Sequence, residues 1–222
     1  MPVSRQLSIW AIIFVAVAVF AVEQARDSDF AESHGTIPRE TVAAVDAVAH
    51  GDLSLGVLKT LSHLVTALFL HGGVEHILFN MVFLWTFGVL TSELLGQWWA
   101  LAAFLVCGVG GNLVQTYLNP ASPVPTIGAS GAICGFEGVY LGLALRWRLP
   151  WAEVWPLAHP VPPMQLGVFA LVGFVGDMAL LSDHSAHIAY GAHVGGFLSG
   201  LAIAAVLTTI YPTRIAFDRA RR

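Results

Sequence analysis

Charge is scarce in this chain. Asp, Glu, Lys and Arg together make up 11% of its 222 residues, against roughly a quarter in a soluble domain. So few charges cannot cover a water-exposed surface. With 56% hydrophobic residues and a mean hydropathy of +0.73, the chain reads as a membrane protein. A basic excess is also missing: the net charge is −4, which excludes a broad basic face, and no nucleic-acid-binding motif is present. There are only two cysteines, Cys107 and Cys134, both in apolar stretches. They exclude a disulfide framework and fit packing as small hydrophobes. No His-Glu-x-x-His run occurs; His71 and His76 are five apart and fall on different helix faces, so neither a metal nor another cofactor is expected. Repeats and low-complexity tracts are absent.

Long apolar runs are what the chain does have. A membrane-spanning helix needs about 20 mostly apolar residues. Six segments qualify, residues 7–22, 77–95, 98–118, 129–145, 164–181 and 189–210. They lack period-two alternation and are too long for strands. The expectation is an all-α, six-helix polytopic bundle forming one domain over 1–222. The first run resembles a signal peptide, but Glu23, Gln24 and Arg26 stand where small residues would mark a cleavage site, so it reads as a retained helix. With six spans both termini share one side. That side holds Arg5, Arg146, Arg148, Arg214, Arg219, Arg221 and Arg222, while the other holds Arg26, Arg39 and Lys59. The imbalance places both termini in the cytoplasm. One long outer connection, about 23–70, separates the first two spans; apolar stretches at 43–45 and 53–58 predict short interfacial helices within it.

Four polar features interrupt the apolar background. Gly128-Ala129-Ser130-Gly131 opens the fourth span after a turn-rich stretch at 119–125. A serine there is an ordinary helix cap, or a nucleophile among unsatisfied backbone N–H groups that suit an oxyanion. His193 lies inside the sixth span within Gly191-Ala192-His193-Val194-Gly195-Gly196. An ionisable group in a span needs a partner to offset its desolvation. Gly191/Gly195 and Gly196/Gly200 are expected to face Gly131/Gly135 and Gly138/Gly142, letting the two helices approach closely enough for Ser130 and His193 to exchange a proton. A serine hydroxyl needs such a base to act as a nucleophile. In His71-Gly72-Gly73-Val74-Glu75-His76-Ile77-Leu78-Phe79-Asn80, His76 and Asn80 share a helix face and can aim donors at one spot. With the Ser130 backbone N–H they would form an oxyanion hole; helix capping and an interhelical hydrogen bond are their structural alternatives. Glu137 lies seven residues after Ser130 on about the same face, where a bond to a neighbouring helix is expected.

Together these residues resemble the rhomboid family of intramembrane serine proteases. Val65-Thr66-Ala67-Leu68-Phe69-Leu70-His71-Gly72-Gly73 with His76 and Asn80 is similar to the family's second-helix signature. Gly128-Ala129-Ser130-Gly131 resembles its nucleophile motif, and Ala192-His193 with Gly195 and Gly196 its base motif. The likeness spans about residues 60–205. It implies a Ser130–His193 dyad without an aspartate and a water-filled cavity on the outer side. It implies transmembrane proteins as substrates, cut near the outer end of their spans with a small residue before the cut. It also implies a bacterial inner-membrane setting, in contact with lipid and with no metal or nucleic acid as partner. Two positions depart from the pattern. Ser62 and His63 stand where rhomboids often carry Trp-Arg, and Cys134 stands where many carry an aromatic that supports the imidazole. A broken-helix transporter would need a second copy of these motifs, which is absent. A catalytically weak or inactive rhomboid-like binding protein is the remaining alternative, although the serine and histidine are both retained.

Overall fold

The computed structural model describes residues 6–26, 29–154, 157, 159–182 and 188–220. Arg5, Arg221 and Arg222, used above in reasoning about topology, lie outside the described residues. Within them the structure is helical: α1 Leu7–Ala25, α2 Asp29–His34, α3 Pro38–Ala49, α4 Leu55–Thr66, a 3-10 turn Ala67–Phe69, α5 Val74–Leu95, α6 Gln97–Leu118, α7 Ser130–Ala144, α8 Pro163–Ala179, α9 Tyr190–Ile210 and α10 Arg214–Ala220. The only strand-like pairings among these residues are two isolated bridges, Thr36 with Thr126 and Ala152 with Val161.

Four helices, α1, α5, α6 and α9, are long and apolar enough to cross a membrane, and α7 and α8 are shorter apolar helices. The chain is a multi-pass integral membrane protein. Its centre is α7, whose Phe136, Val139 and Tyr140 are buried against Phe87 of α5, Phe104 of α6 and Ala204 of α9. Lipid-side helices behave differently. Helix α1 buries only Ile9, Ile12 and Ala16. Helix α8 buries only Leu166, Gly167 and Ala170, and turns Val168, Phe169, Val172 and Val175 outward. A cavity of about 290 Å³ separates α5 from α8, bounded by Val82, Phe83 and Thr86 on one side and Gln165, Leu166 and Phe169 on the other.

Glycine decides how closely α7 and α9 pack. A Cβ on Gly196 would run into the carbonyl of Gly131, one on Gly200 into that of Gly135, and one on Gly138 into that of Phe197. Such contact between backbones is the gain that small-residue faces offer where no hydrophobic effect drives helices together. The sequence expectation needs one correction. Gly191 and Gly195 face α6, against Gln115 and Val114, and not α7. On a helix of 3.6 residues per turn, Gly195 and Gly196 point about 100° apart, so adjacent glycines serve two different neighbours. Helix α9 is therefore wedged between α6 and α7.

Among the described residues, the segment between α1 and α5 is built mainly of helices. Both short helices expected from 43–45 and 53–58 are present, as α3 and α4. In place of a Trp-Arg anchor, side chains grip backbone. Thr36 Oγ1 donates to the His63 carbonyl (2.9 Å), Thr66 Oγ1 to the His34 carbonyl (2.7 Å), and buried Asn112 on α6 to the Leu64 carbonyl (2.9 Å).

Candidate functional site

Gly128 fixes the entry to α7. Its φ of 117° is a backbone conformation that side chains rarely adopt, and its N–H donates to the Ala67 carbonyl at 2.8 Å. A Cβ there would lie 2.8 Å from His76 Nε2, so glycine is also required by the imidazole beside it. Helix α7 then begins at Ser130. Its hydrogen-bond ladder starts with Ile133 N–H to Ala129 C=O at 3.0 Å. The N–H groups of Ser130, Gly131 and Ala132 precede that ladder, at the positive end of the helix.

Ser130 Oγ lies 2.9 Å from His193 Nε2, on the first turn of α9. The close α7–α9 approach makes this distance possible: Ala192 C=O sits 3.0 Å from where a Gly131 Cβ would be. The other ring nitrogen, His193 Nδ1, lies 3.1 Å from Asp177 Oδ1 on α8. An ionised carboxylate can only accept, so the imidazole donates through Nδ1 and accepts the serine O–H at Nε2. Both side chains keep a little exposure, 17% for His193 and 20% for Asp177. Tyr190, one turn earlier on α9, presents its ring edge-on to His193 at 6.2 Å. It supplies an aromatic neighbour that Cys134 does not, whereas Phe136 is buried against Phe104.

His76 is held by its neighbour. Gly72 N–H donates to His76 Nδ1 at 3.3 Å, which leaves the proton of a neutral ring on Nε2, the nitrogen facing Gly128. Asn80 uses one amide hydrogen on the His76 carbonyl (2.8 Å), and its buried Oδ1 has no partner. A second amide hydrogen remains for the site. His71 is buried beside His76, the two rings edge-on with centroids 5.1 Å apart, and its backbone N–H donates to the Glu23 carboxylate at 3.1 Å. Burial, then the nearby His76, pushes the His71 imidazole down to about 4. His71 is thus a neutral wall to the site.

The residues singled out from sequence therefore cluster as follows: Ser130 bonds His193, His76 lies against Gly128, His71 packs on His76, Asn80 bonds the His76 carbonyl one turn along α5, and Gly131 and Gly196 form the helix crossing. Gly195 lies against α6, away from the Ser130 hydroxyl. Asp177 was not singled out for the site. The signal that picked out His193 and Glu137, an ionisable group inside an apolar run, applies equally to it. Cys134, Asp177 and His193 each offer one atom within 4.8 Å of the others, the one trio among the described residues able to hold a metal ion. In the described geometry, however, both imidazole nitrogens are engaged, Nδ1 by Asp177 and Nε2 by Ser130. His71 and His76 do not form such a group.

An all-helical, multi-pass membrane bundle enclosing a hydroxyl–imidazole pair is the class of protein these features define. The comparison with known families is specific: the Rhomboid domain matches residues 58–210, and the chain belongs to the rhomboid family. Similar proteins include Rhomboid protease GluP of Bacillus subtilis (strain 168), 28% identical over 170 residues covering 76% of this chain and 31% of that protein. RHOMBOID-like protein 5 of Arabidopsis thaliana is 30% identical over 145 residues, 65% of this chain and 43% of the relative. Rhomboid-like protease 3 of Toxoplasma gondii is 27% identical over 139 residues, 63% and 49% respectively. The chain thus spans a third to a half of the length of these relatives.

Proposed function

We propose that this chain is an intramembrane serine endopeptidase that cuts transmembrane segments of other membrane proteins near their outer end. The 2.9 Å hydrogen bond between Ser130 Oγ and His193 Nε2, formed at the crossing of two helices inside an apolar bundle, carries the reading. Relatives named as proteases support it.

In the proposed reaction Ser130 Oγ attacks the scissile carbonyl carbon as its proton passes to His193 Nε2. The carbonyl π pair moves onto oxygen, giving an oxyanion beside the N-terminus of α7. In this reading the Ser130 backbone N–H, the His76 Nε2–H and the Asn80 amide donate to it; the position of His76 Nε2 against Gly128, next to Ser130 in the chain, supports this. Collapse breaks the C–N bond, and His193 returns its proton to the departing amine. Water then attacks the acyl-serine by the same route in reverse. Substrate must enter sideways from lipid, because parting α7 from α9 would separate serine from base. The weakly buried α8, flanked by the cavity towards α5, is the proposed gate. A transmembrane helix hides its carbonyls in its own ladder, so a Gly or Pro below the cut should favour cleavage by easing local unwinding. With both termini cytoplasmic, as the arginine distribution indicates, the site opens to the outer side of a bacterial inner membrane.

The test is labelling with a fluorophosphonate probe alongside cleavage of a membrane substrate in liposomes. Wild type should react on both counts; Ser130→Ala and His193→Ala should lose both while remaining folded, because nucleophile and base act as one unit. Substantial cleavage by purified Ser130→Ala protein would refute the assignment.

A further inference from the structure

We propose that Asp177 is a positioning residue for His193, supplied by the gate helix, so that the site works as a Ser–His–Asp array and not as a pair. The proposal rests on the reading of Ser130 and His193 as nucleophile and base. What carries it is that both imidazole nitrogens are engaged at once: Nε2 by Ser130 Oγ at 2.9 Å and Nδ1 by Asp177 Oδ1 at 3.1 Å.

Each bond has a separate consequence. An imidazole that takes a proton from serine must present a bare Nε2, which requires its hydrogen to reside on Nδ1. A carboxylate opposite Nδ1 selects that tautomer, fixes the ring plane, and faces the positive charge that appears when Nε2 is protonated. The proton stays on Nδ1 throughout; Asp177 orients and stabilises without receiving it. The surroundings leave room for such a partner. Cys134, one turn after Ser130 on α7, is small enough that the carboxylate and the ring both come within 4.8 Å of its sulfur. The Asp177 side chain is about a fifth exposed and has the His193 Nδ1–H as its partner, the kind of pairing a buried carboxylate requires.

The placement also couples two events. Asp177 lies near the end of α8, while Ser130 and His193 belong to the tightly packed α7 and α9. The aspartate therefore reaches the imidazole only when α8 is docked. A gate that swings out to admit substrate withdraws it, and one that closes behind substrate restores it. The base is then fully oriented only in the closed state.

The experiment uses the full chain in liposomes, comparing wild type, Asp177→Asn, Asp177→Glu, and Asp177→Ala with and without added formate. The readouts are fluorophosphonate labelling rate, kcat, KM and thermal unfolding. Asp177→Asn should lower kcat and labelling by about tenfold or more with KM nearly unchanged, since loss of this orienting carboxylate acts on the base and not on substrate binding. Asp177→Glu and formate added to Asp177→Ala should each recover part of the loss. Wild-type or higher rates in Asp177→Asn would overturn the proposal and make the contact a bystander or a latch. A loss that tracks unfolding and that neither glutamate nor formate relieves would make it structural. Abolition of wild-type activity by a chelator would reassign Cys134, Asp177 and His193 to a metal and overturn it likewise. Cleavage by Ser130→Ala, in contrast, would remove the underlying reading and not this one alone.

Discussion

His71 shows how a side chain outside the reaction still sets its conditions. It is 1% exposed, its Nε2 has no partner, and its Nδ1 lies 3.3 Å from the Phe69 carbonyl. Burial drives its imidazole down to about 4 from an ordinary 6.5. The unfolded chain therefore binds a proton near pH 6.5 that the folded chain refuses until about pH 4. Where the unfolded state holds more protons, stability rises with pH. The contribution of His71 is accordingly complete above pH 6.5 and falls away as pH drops towards 4, by about 3 kcal/mol for a shift of this size. His63, also held below its ordinary range by burial first, acts in the same direction. Thermal unfolding of detergent-solubilised protein should show the midpoint falling between pH 6.5 and 4. His71→Asn, which keeps a donor for the Phe69 carbonyl, should show a shallower fall; an identical slope would place the titration elsewhere.

Among the elements, the α7–α9 crossing sets what the site tolerates. Alanine is normally the better helix former by about 1 kcal/mol. At Gly196 that preference is overruled, since the added Cβ meets the carbonyl of Gly131, a backbone atom that cannot rotate away. Gly196→Ala should cost roughly 1–3 kcal/mol by overpacking and lose fluorophosphonate reactivity, because the helices must part next to Ser130. Gly173→Ala on α8, which meets open space, is the control and should leave folding intact; equal behaviour of the two would contradict the packing argument. The gate makes a second prediction. In a background without Cys107 and Cys134, cysteines at Phe83 and Phe169 face the α5–α8 cavity. Bridging them with a bifunctional thiol reagent should stop cleavage of membrane substrates, and unchanged turnover after complete bridging would exclude lateral entry there. Much of this architecture was legible in the sequence, for particular reasons. Apolar runs fix where helices lie, and the glycine spacing marked α7 and α9 as partners. Which glycine faces which neighbour was not legible: Gly195 and Gly196 are adjacent in sequence, and only the assembled bundle shows one against α6 and the other against α7. The role of Asp177 stays open in the sequence for a related reason. Its partner lies 16 residues away on the next helix, a separation that no helical periodicity encodes.

For the molecule as a whole, the unequal lengths of its helices have a consequence for the lipid around it. Helix α5, with 22 residues, is about 33 Å long, whereas α8, with 17, is about 25 Å and turns Val168, Phe169, Val172 and Val175 outward. The hydrocarbon core of a typical bilayer is about 30 Å thick. On the α8 side the protein is therefore shorter than a typical bilayer core, and local thinning of the bilayer there is the expected accommodation. A passing helix that spans an ordinary bilayer comfortably becomes too long on reaching this thinned rim, and one end is pushed into water. Hydrophobic mismatch would then begin the unwinding that the chemistry requires before any side chain touches the substrate. Cleavage in liposomes of graded acyl-chain length should accordingly be fastest where bulk thickness exceeds α8 but still suits α5. In bilayers already as thin as α8 it should slow, because there the rim offers the substrate no step to fall from.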